Sequence, residues 1–340
     1  MTILVTGGAG YIGSHTLVSL LEAGQTLVVY DNLINSRETS LKRVKALTGK
    51  FFNFVNADIR DKAALNQVFK DFQINTVIHF AALKAVGESI TSPLKYYENN
   101  VYGTVCLLQA MMEANVKNFI YSSSATVYGE CNPIPYDETM VLGSPSSPYG
   151  ATKVIVEKII EDKAKANPDF RAVSLRYFNP IGAHSSGRIG EDPKDLPNNL
   201  LPLITQVATR QVESLEIFGD DYPTKDGTCI RDYLHVMDLA DGHLTALNWL
   251  RSKTDFRGTE AFNLGTGKGY SVFDIVHGFE EATNQKVPYN IRSRRAGDLS
   301  AFWADTSKAR SVLNWEAKRS LREMLTDVWR WELRRSDSHN

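Results

Sequence analysis

Four glycines crowd into seven residues, Gly7-Gly8-Ala9-Gly10-Tyr11-Ile12-Gly13, between a short apolar run and an amphipathic segment. The apolar run is Thr2 to Thr6. Leu17, Leu20 and Leu21 then recur at helical spacing, Gly24 closes the segment, and a second apolar run from Thr26 to Tyr30 delivers Asp31. That order reads as strand, tight turn, helix, strand, which is how a dinucleotide-binding unit begins. Gly7 permits the turn out of the strand. Gly10 lets the backbone approach a pyrophosphate resting on the positive end of the helix, and Gly13 lets helix and strand pack closely. Asp31 stands where a carboxylate accepts bonds from ribose hydroxyls, and its charge repels a 2′-phosphate, so NAD is expected rather than NADP. Glycines also punctuate turns that bind nothing. Here the flanking strands and the acid ending the second one supply the dinucleotide context.

The 340 residues, 43% of them hydrophobic, suffice for two domains or for one large domain with a second lobe. A net charge of −1 offers no basic field to nucleic acid. No apolar run approaches the roughly 18 residues of a membrane span. The first strand starts at Thr2, leaving no room for a signal peptide. A soluble cytoplasmic α/β enzyme is expected, with no membrane partner. Cys106, Cys131 and Cys229 are scattered without metal-ligand spacing and read as free thiols. His15, His79, His184, His235, His243, His277 and His339 form neither an H-E-x-x-H motif nor a Cys/His cluster, so no metal is expected.

Beyond Asp31, apolar strands alternate with amphipathic helices, the pattern of a parallel sheet covered on both faces. Asn32 to Ser40 reads as a polar loop. Strands are expected at Phe51 to Asn56, Thr76 to Phe80, Asn118 to Ser122 and Ala172 to Arg176. Asp61 suits a helix start. Long helices are expected over Pro93 to Ala114 and Ser147 to Ala166. Small residues after the fourth strand, Ala81-Ala82, would let a cofactor lie close to the strand ends. After Tyr177-Phe178-Asn179-Pro180 the alternation lapses. A helix near Leu200 to Arg210 and short strands at Tyr233 to Val236 and Ala261 to Leu264 follow, and the tail from Arg334 to Asn340 is polar and expected to fray. The expected fold is a Rossmann-type doubly wound parallel sheet over residues 1–180. A smaller mixed α/β C-terminal substrate lobe spans 181–340, with some segments returning to the first domain.

A second constellation carries chemistry. In Ser147-Pro148-Tyr149-Gly150-Ala151-Thr152-Lys153, Tyr149 and Lys153 lie four apart and share one helix face. A free tyrosine, with a pKa of about 10, is a poor base at neutral pH. A neighbouring ammonium and an NAD+ ring both favour the phenolate, at roughly 1.4 kcal/mol per pKa unit. Such a phenolate takes a proton from a substrate hydroxyl while the adjacent carbon gives up hydride. Ser124, from the end of Ser122-Ser123-Ser124, can bond the same oxygen. A Tyr-x-x-x-Lys pair alone could equally decorate a surface. Joined to the glycine turn and the serine-rich strand end, it resembles the signature of extended short-chain dehydrogenase/reductases.

Within that group the resemblance narrows and covers nearly the whole chain. Val5 to His15, Lys84-Ala85-Val86-Gly87-Glu88-Ser89, Ser122 to Gly129 and Arg176-Tyr177-Phe178-Asn179-Pro180 look like the UDP-glucose 4-epimerase family. So do Pro197-Asn198-Asn199-Leu200 and Gly227-Thr228-Cys229-Ile230-Arg231-Asp232-Tyr233. The resemblance implies interconversion of UDP-glucose and UDP-galactose on tightly held NAD, in galactose metabolism, usually by a homodimer. The two long helices after Pro93 and Ser147 are the expected interface, though an apolar outer stripe there could equally pack against the second lobe. It makes Tyr149 the base, Lys153 the holder of the nicotinamide ribose, and Ser124 their assistant. It sets Tyr11, Ile12, Asp31, Asn32, Asn35, Ser36, Asp58, Ile59, Phe80, Ala81, Ala82, Lys84, Asn99, Ser122 and Phe178 around NAD. Asn179, Asn199, Leu200, Phe218, Arg231, Arg295 and Asp298 would hold the UDP-sugar. Arginine suits a diphosphate because guanidinium binds it bidentately. Phe302, in Gly297-Asp298-Leu299-Ser300-Ala301-Phe302-Trp303, matches a position where bulk restricts members to unacetylated sugars. Tyrosine is common there.

Two rivals differ in ways the residues address. A nucleotide-sugar 4,6-dehydratase or decarboxylase would share the scaffold, but a dehydratase needs an extra acid/base pair directly after the active-site hydroxyl residue. Ala125 and Thr126 stand there and cannot do that work. A non-catalytic NAD-binding regulator would have no use for Tyr149 and Lys153 together.

Overall fold

The computed structural model describes residues 1–129, 132–143, 145–194, 199–295 and 298–337. Cys131, Pro197, Asn198, Gly297 and His339, all singled out in the sequence, lie outside them, as does the end of the tail.

Alternating apolar runs become a central sheet of seven parallel strands. Its first six are β1 (Thr2–Thr6), β2 (Thr26–Asp31), β3 (Asn53–Asn56), β4 (Ile74–His79), β5 (Asn118–Ser122) and β6 (Arg171–Tyr177). The seventh, Gly258–Leu264, returns from the C-terminal part to pair with β6. Across the sheet the order is Gly258–Leu264, β6, β5, β4, β1, β2, β3. The order reverses between β1 and β4, and the crevice outside the strand ends there is where such sheets take ligands.

Helices cover both faces. α1 (Tyr11–Glu22), α2 (Glu38–Thr48) and the Val236–Ser252 helix pack their apolar sides on one face, with Leu17, Leu20, Val44, Leu239 and Leu247 fully buried. α3 (Lys62–Asp71), the Gly103–Glu113 helix and the Pro148–Ala166 helix cover the other, around Leu65, Leu107, Met111, Val156 and Ile160. A third core joins the Leu200–Ala208, Val272–Thr283 and Leu321–Asp337 helices around Ile204, Ile275, Phe279 and Leu325. The Asp61 side chain accepts from Ala64 N at 3.0 Å and caps α3, as its position suggests.

Several expected boundaries move. β3 starts at Asn53, because Phe51 is exposed and Phe52 turns into the core. β4 runs Ile74–His79 and leaves Phe80 beyond its end. The expected single helix over 93–114 is divided into Pro93–Tyr96, a π-helical turn at Tyr97–Tyr102 and Gly103–Glu113. The turn faces Asn99 and Asn100 inward. Asn100 then accepts from Leu83 N at 2.8 Å and donates to Leu83 O at 2.9 Å, locking the segment after β4 to the helix. Such turns inside helices recur at functional sites. Among the described residues no helix is long and apolar enough to cross a membrane.

Candidate active site

The turn after β1 is built so that only glycine fits. Gly7 sits at φ +71°, and a Cβ there would lie 2.5 Å from Ala81 N. A Cβ on Gly13 would lie 2.4 Å from Gly7 O. The N-terminus of α1 therefore reaches the sheet edge with its N–H groups bare, a cradle for a pyrophosphate. Asp31 closes the turn from β2. Its carboxylate accepts from Ala9 N at 2.9 Å, Leu33 N at 2.8 Å and Ser36 Oγ at 3.0 Å. A carboxylate has about four acceptor positions, so Asp31 both braces the glycine turn and keeps room for a ribose hydroxyl. Burial raises its pKa, which those three donors oppose. Asn32 reaches Asp58 at 2.8 Å, drawing the ends of β2 and β3 together. Ile59 is buried behind them, and Asn35 stands exposed on the loop. The cradle and the acid suit an adenine dinucleotide.

Tyr149 and Lys153 come from the Pro148–Ala166 helix, whose start is fixed twice over. Ser147 Oγ accepts from Gly150 N at 3.2 Å, and Pro148 occupies the first turn. Both side chains are buried, on the face toward β5. Lys153 Nζ donates to Ser122 O at 2.7 Å and lies 4.8 Å from the centre of the Tyr121 ring. Ser124, two residues beyond the end of β5, caps the short turn Ala125–Tyr128 by accepting from Thr126 N, and stands close enough to the Tyr149 phenol to favour its ionised form. Tyr149, Lys153 and Ser124 are thus brought together by the Pro148–Ala166 helix and the turn after β5.

The electrostatics differ from the sequence expectation in one respect. Burial pushes the Tyr149 hydroxyl up in the protein alone, with only the neighbouring Ser124 hydroxyl opposing it. Lys153 spends its proton on the Ser122 carbonyl, 5.9 Å from the Tyr149 ring, and burial lowers its own pKa to about 7. Desolvation dominates at both groups in the protein alone, and a phenolate there calls for further positive charge in the site.

The substrate-side residues also converge. Arg231 lies 4.6 Å over the Phe302 ring and 3.8 Å from Asp298, and Arg295 lies 4.9 Å over Phe218 and 3.0 Å from the same Asp298. Five distant positions thus form two aromatic-backed guanidiniums sharing one carboxylate. Phe302 stacks on Tyr136 with centroids 6.1 Å apart and meets Phe178 at a tilt, 6.0 Å away. Asn179 N bonds Asp232 O at 2.9 Å, placing the end of the Arg176-to-Pro180 segment beside the Arg231 strand. Leu200 packs in the C-terminal core. Phe80 N bonds Thr6 O, and Ala81 abuts Gly7. Buried Asn99 donates to Asn100.

Some functional neighbours were not foreseen. Glu191 Oε1 accepts from Lys84 at 2.9 Å and Asn199 at 2.7 Å, bridging a cofactor-side and a substrate-side residue. It sits in irregular chain with no pattern to mark it. Asp232 accepts from Thr266, Gly267 and Ala304 backbone N–H groups and ties three substrate-side segments together. A separate cavity of about 320 Å³ between α1 and the C-terminal helix, lined by Ser19, His184, His235, Arg319 and Asp327, holds none of these groups.

Glycine cradle, ribose acid and Tyr/Lys/Ser trio on this sheet define a dinucleotide-dependent enzyme of the extended short-chain type. The chain belongs to the NAD dependent epimerase/dehydratase family, which it matches over residues 3–265. It is 56% identical to the UDP-glucose 4-epimerase of Erwinia amylovora over 332 residues, 98% of each chain. It superposes on the UDP-glucose 4-epimerase of Stenotrophomonas maltophila, solved with NAD and formylated UDP-arabinopyranose, with a TM-score of 0.96 and 44% identity over 99% of both chains. The Bifidobacterium longum UDP-glucose 4-epimerase, in complex with NAD+ and UDP, gives a TM-score of 0.95 at 44% identity over the same share.

Proposed function

We propose that the protein reversibly epimerises UDP-glucose and UDP-galactose at C4 on bound NAD, serving galactose metabolism. The observation that carries this reading is the buried set of Tyr149, Ser124 and Lys153 at the end of β5, on the same sheet whose β1 end carries the glycine cradle, in a chain that also gathers Arg231 and Arg295 on Asp298. NAD, when bound, supplies the acceptor and the donor for the C4 hydride. Tyr149 takes the proton from sugar O4 and later returns it, with Ser124 bonding the same oxygen. Lys153 holds the nicotinamide ribose and supplies the ammonium that favours the phenolate. Arg231 and Arg295 grip the diphosphate, so the 4-keto sugar turns about that linkage and presents its other face. Asn179, Asn199, Leu200, Phe218 and Asp298 complete the UDP-sugar site. Gly7, Gly10, Tyr11, Ile12, Gly13, Asp31, Ser122, Phe178 and the other cofactor-side residues surround NAD. In this reading residues 1–180 bind NAD and 181–340 bind the UDP-sugar. Ala125 and Thr126 are buried or half-buried and have no carboxyl to drive elimination, so a dehydratase is not favoured.

The test is incubation of the purified protein with UDP-galactose, without added NAD. UDP-glucose at catalytic yield is the expected product, and a 4-keto-6-deoxy sugar would replace this reading. Arg231→Ala should raise KM roughly 10- to 100-fold with a smaller change in kcat, because a charge-assisted bond to phosphate is lost. A kcat-only effect would remove Arg231 from the diphosphate site. Phe302→Ala should open the pocket, raising turnover of UDP-N-acetylglucosamine by roughly tenfold or more. No gain would shift the specificity gate elsewhere.

The working form proposed is a cytoplasmic homodimer. Cys106 and Cys229 are buried free thiols, which suits a reducing compartment. Leu94, Tyr102, Met112 and Ile155 leave apolar surface exposed on the two helical segments expected to pair.

A further inference from the structure

Buried ionic groups are costly unless they are paired, and those with no evident role in a reaction need a reason to be there. Glu157 and Arg176 are such a pair, with side chains only 4% and 6% exposed. Arg176 Nη2 lies 2.6 Å from Glu157 Oε2, and its Nε donates to both carboxylate oxygens at 3.1 Å. Ser123 Oγ donates to Glu157 Oε1 at 2.5 Å. Glu157 follows Lys153 by one helical turn on the same face, and Ser123 lies between Ser122, whose carbonyl holds Lys153, and Ser124, which stands beside Tyr149. Beyond the pair, Arg176 Nη1 donates to Tyr128 OH at 3.3 Å, and that hydroxyl donates to Asn263 at 2.6 Å. One carboxylate therefore holds three elements in register: the reactive helix, the serine turn after β5, and the end of β6.

We propose that Glu157, clamped by Arg176 and Ser123 one turn beyond Lys153, is a positioning residue for the C4 proton transfer, fixing the lysine ammonium and the serine turn against Tyr149. The inference rests on the epimerase reading above. Its chemistry is electrostatic as well as steric. The groups facing Lys153 are Tyr149 and Glu157 from its own helix, the Tyr121 ring from β5, and His79 from β4. His79 is kept neutral by burial, its pKa near 3, while Thr6 and Thr104 hold its two ring nitrogens. Glu157 is the one carboxylate in that set, and its charge opposes the burial that strips the proton from Lys153. Neutralising Glu157 removes this support and leaves the Arg176 guanidinium buried and uncompensated. Both changes make the ammonium give up its proton at lower pH.

The experiment compares pH profiles of kcat/KM for UDP-galactose in the NAD-loaded wild type, Glu157→Gln and Glu157→Asp. Glu157→Gln is expected to move the alkaline limb down by at least about one pH unit, a tenfold change in proton affinity. Glu157→Asp, keeping the charge, should restore most of that shift. NAD content and thermal melting record that each variant is folded. If Glu157→Gln does not fold, the double variant Glu157→Gln/Arg176→Met removes both charges together, and its alkaline limb should also fall. Limbs that stay in place in the folded variant, whatever its turnover, overturn the inference. A wild type that makes no UDP-glucose overturns the epimerase reading instead, so the two failures are distinguishable.

Discussion

Tyr149→Phe is expected to lower kcat by roughly 10²- to 10⁴-fold, the usual contribution of a positioned acid/base group, while bound NAD and thermal stability stay near wild type. The substitution removes one oxygen and keeps the ring. That ring packs with Leu83 and Tyr96 in a small buried cluster, so the helix start and the Lys153–Ser122 bond have no cause to move. The lost phenol leaves Ser124 alone beside sugar O4, and an aliphatic hydroxyl is too weak a base to replace it. The loss should fall on kcat rather than KM, because in the proposed reading Tyr149 acts on the reacting proton and other residues hold the diphosphate. Assay of UDP-galactose conversion, with NAD quantified after denaturation, checks both halves. Undiminished turnover would move the base to another hydroxyl, and the half-buried Tyr177, whose hydroxyl accepts from Ser122 Oγ at 3.0 Å, would be examined next.

The direction of the Tyr149 pKa gives this prediction a second reading. Burial holds the phenol protonated in the protein without cofactor. A phenolate therefore becomes accessible only with added positive charge, which bound NAD+ provides beside Lys153. The base and the hydride acceptor are thus made available together. A site stripped of NAD should show no Tyr149 phenolate absorbance near neutral pH.

What the sequence made legible was local. The β1–α1–β2 unit follows from two short apolar runs, a glycine turn and a 3.6-period run, all within thirty-one residues, and it folds as read. Tyr149 and Lys153 needed only helical spacing. Arg231, Arg295, Asp298, Phe218 and Phe302 were legible one at a time through a family resemblance, while their shared geometry was not. Two guanidiniums on one carboxylate is a tertiary fact, because Arg231 arrives from a strand far in sequence from the local Arg295–Asp298 pair. The π-turn at Tyr97–Tyr102 escaped because nothing in its composition breaks a helix. Its cause lies across space, where Asn100 must satisfy both backbone groups of Leu83. Glu191 and Glu157 escaped for related reasons. One sits in irregular chain, and the other looks like an ordinary charge on a helix until Arg176 and Ser123 are seen to bury it.

Gly13→Ala tests whether the glycine turn is there for packing alone or for the cofactor. The added Cβ would stand 2.4 Å from Gly7 O and 2.8 Å from Gly8 Cα. Both are backbone atoms, so no side chain can swing aside, and either α1 lifts from β1 or the Gly7–Gly8 turn is displaced. Overpacking of this kind costs about 1–3 kcal/mol, a melting point lower by a few degrees. The functional loss should be larger. The turn that must move is the one bearing the pyrophosphate cradle, and Ala9 N, held by Asp31 at 2.9 Å, would move with it. The variant is expected to purify without NAD and to convert UDP-galactose at least a hundredfold more slowly, on the order of one lost charge-assisted contact set. Excess NAD should restore part of the rate, because Tyr149, Lys153 and Ser124 stand on other elements. A variant that melts early yet keeps its full complement of NAD would mean that the cradle tolerates the shift. Gly13 would then serve the helix–strand contact and not the dinucleotide.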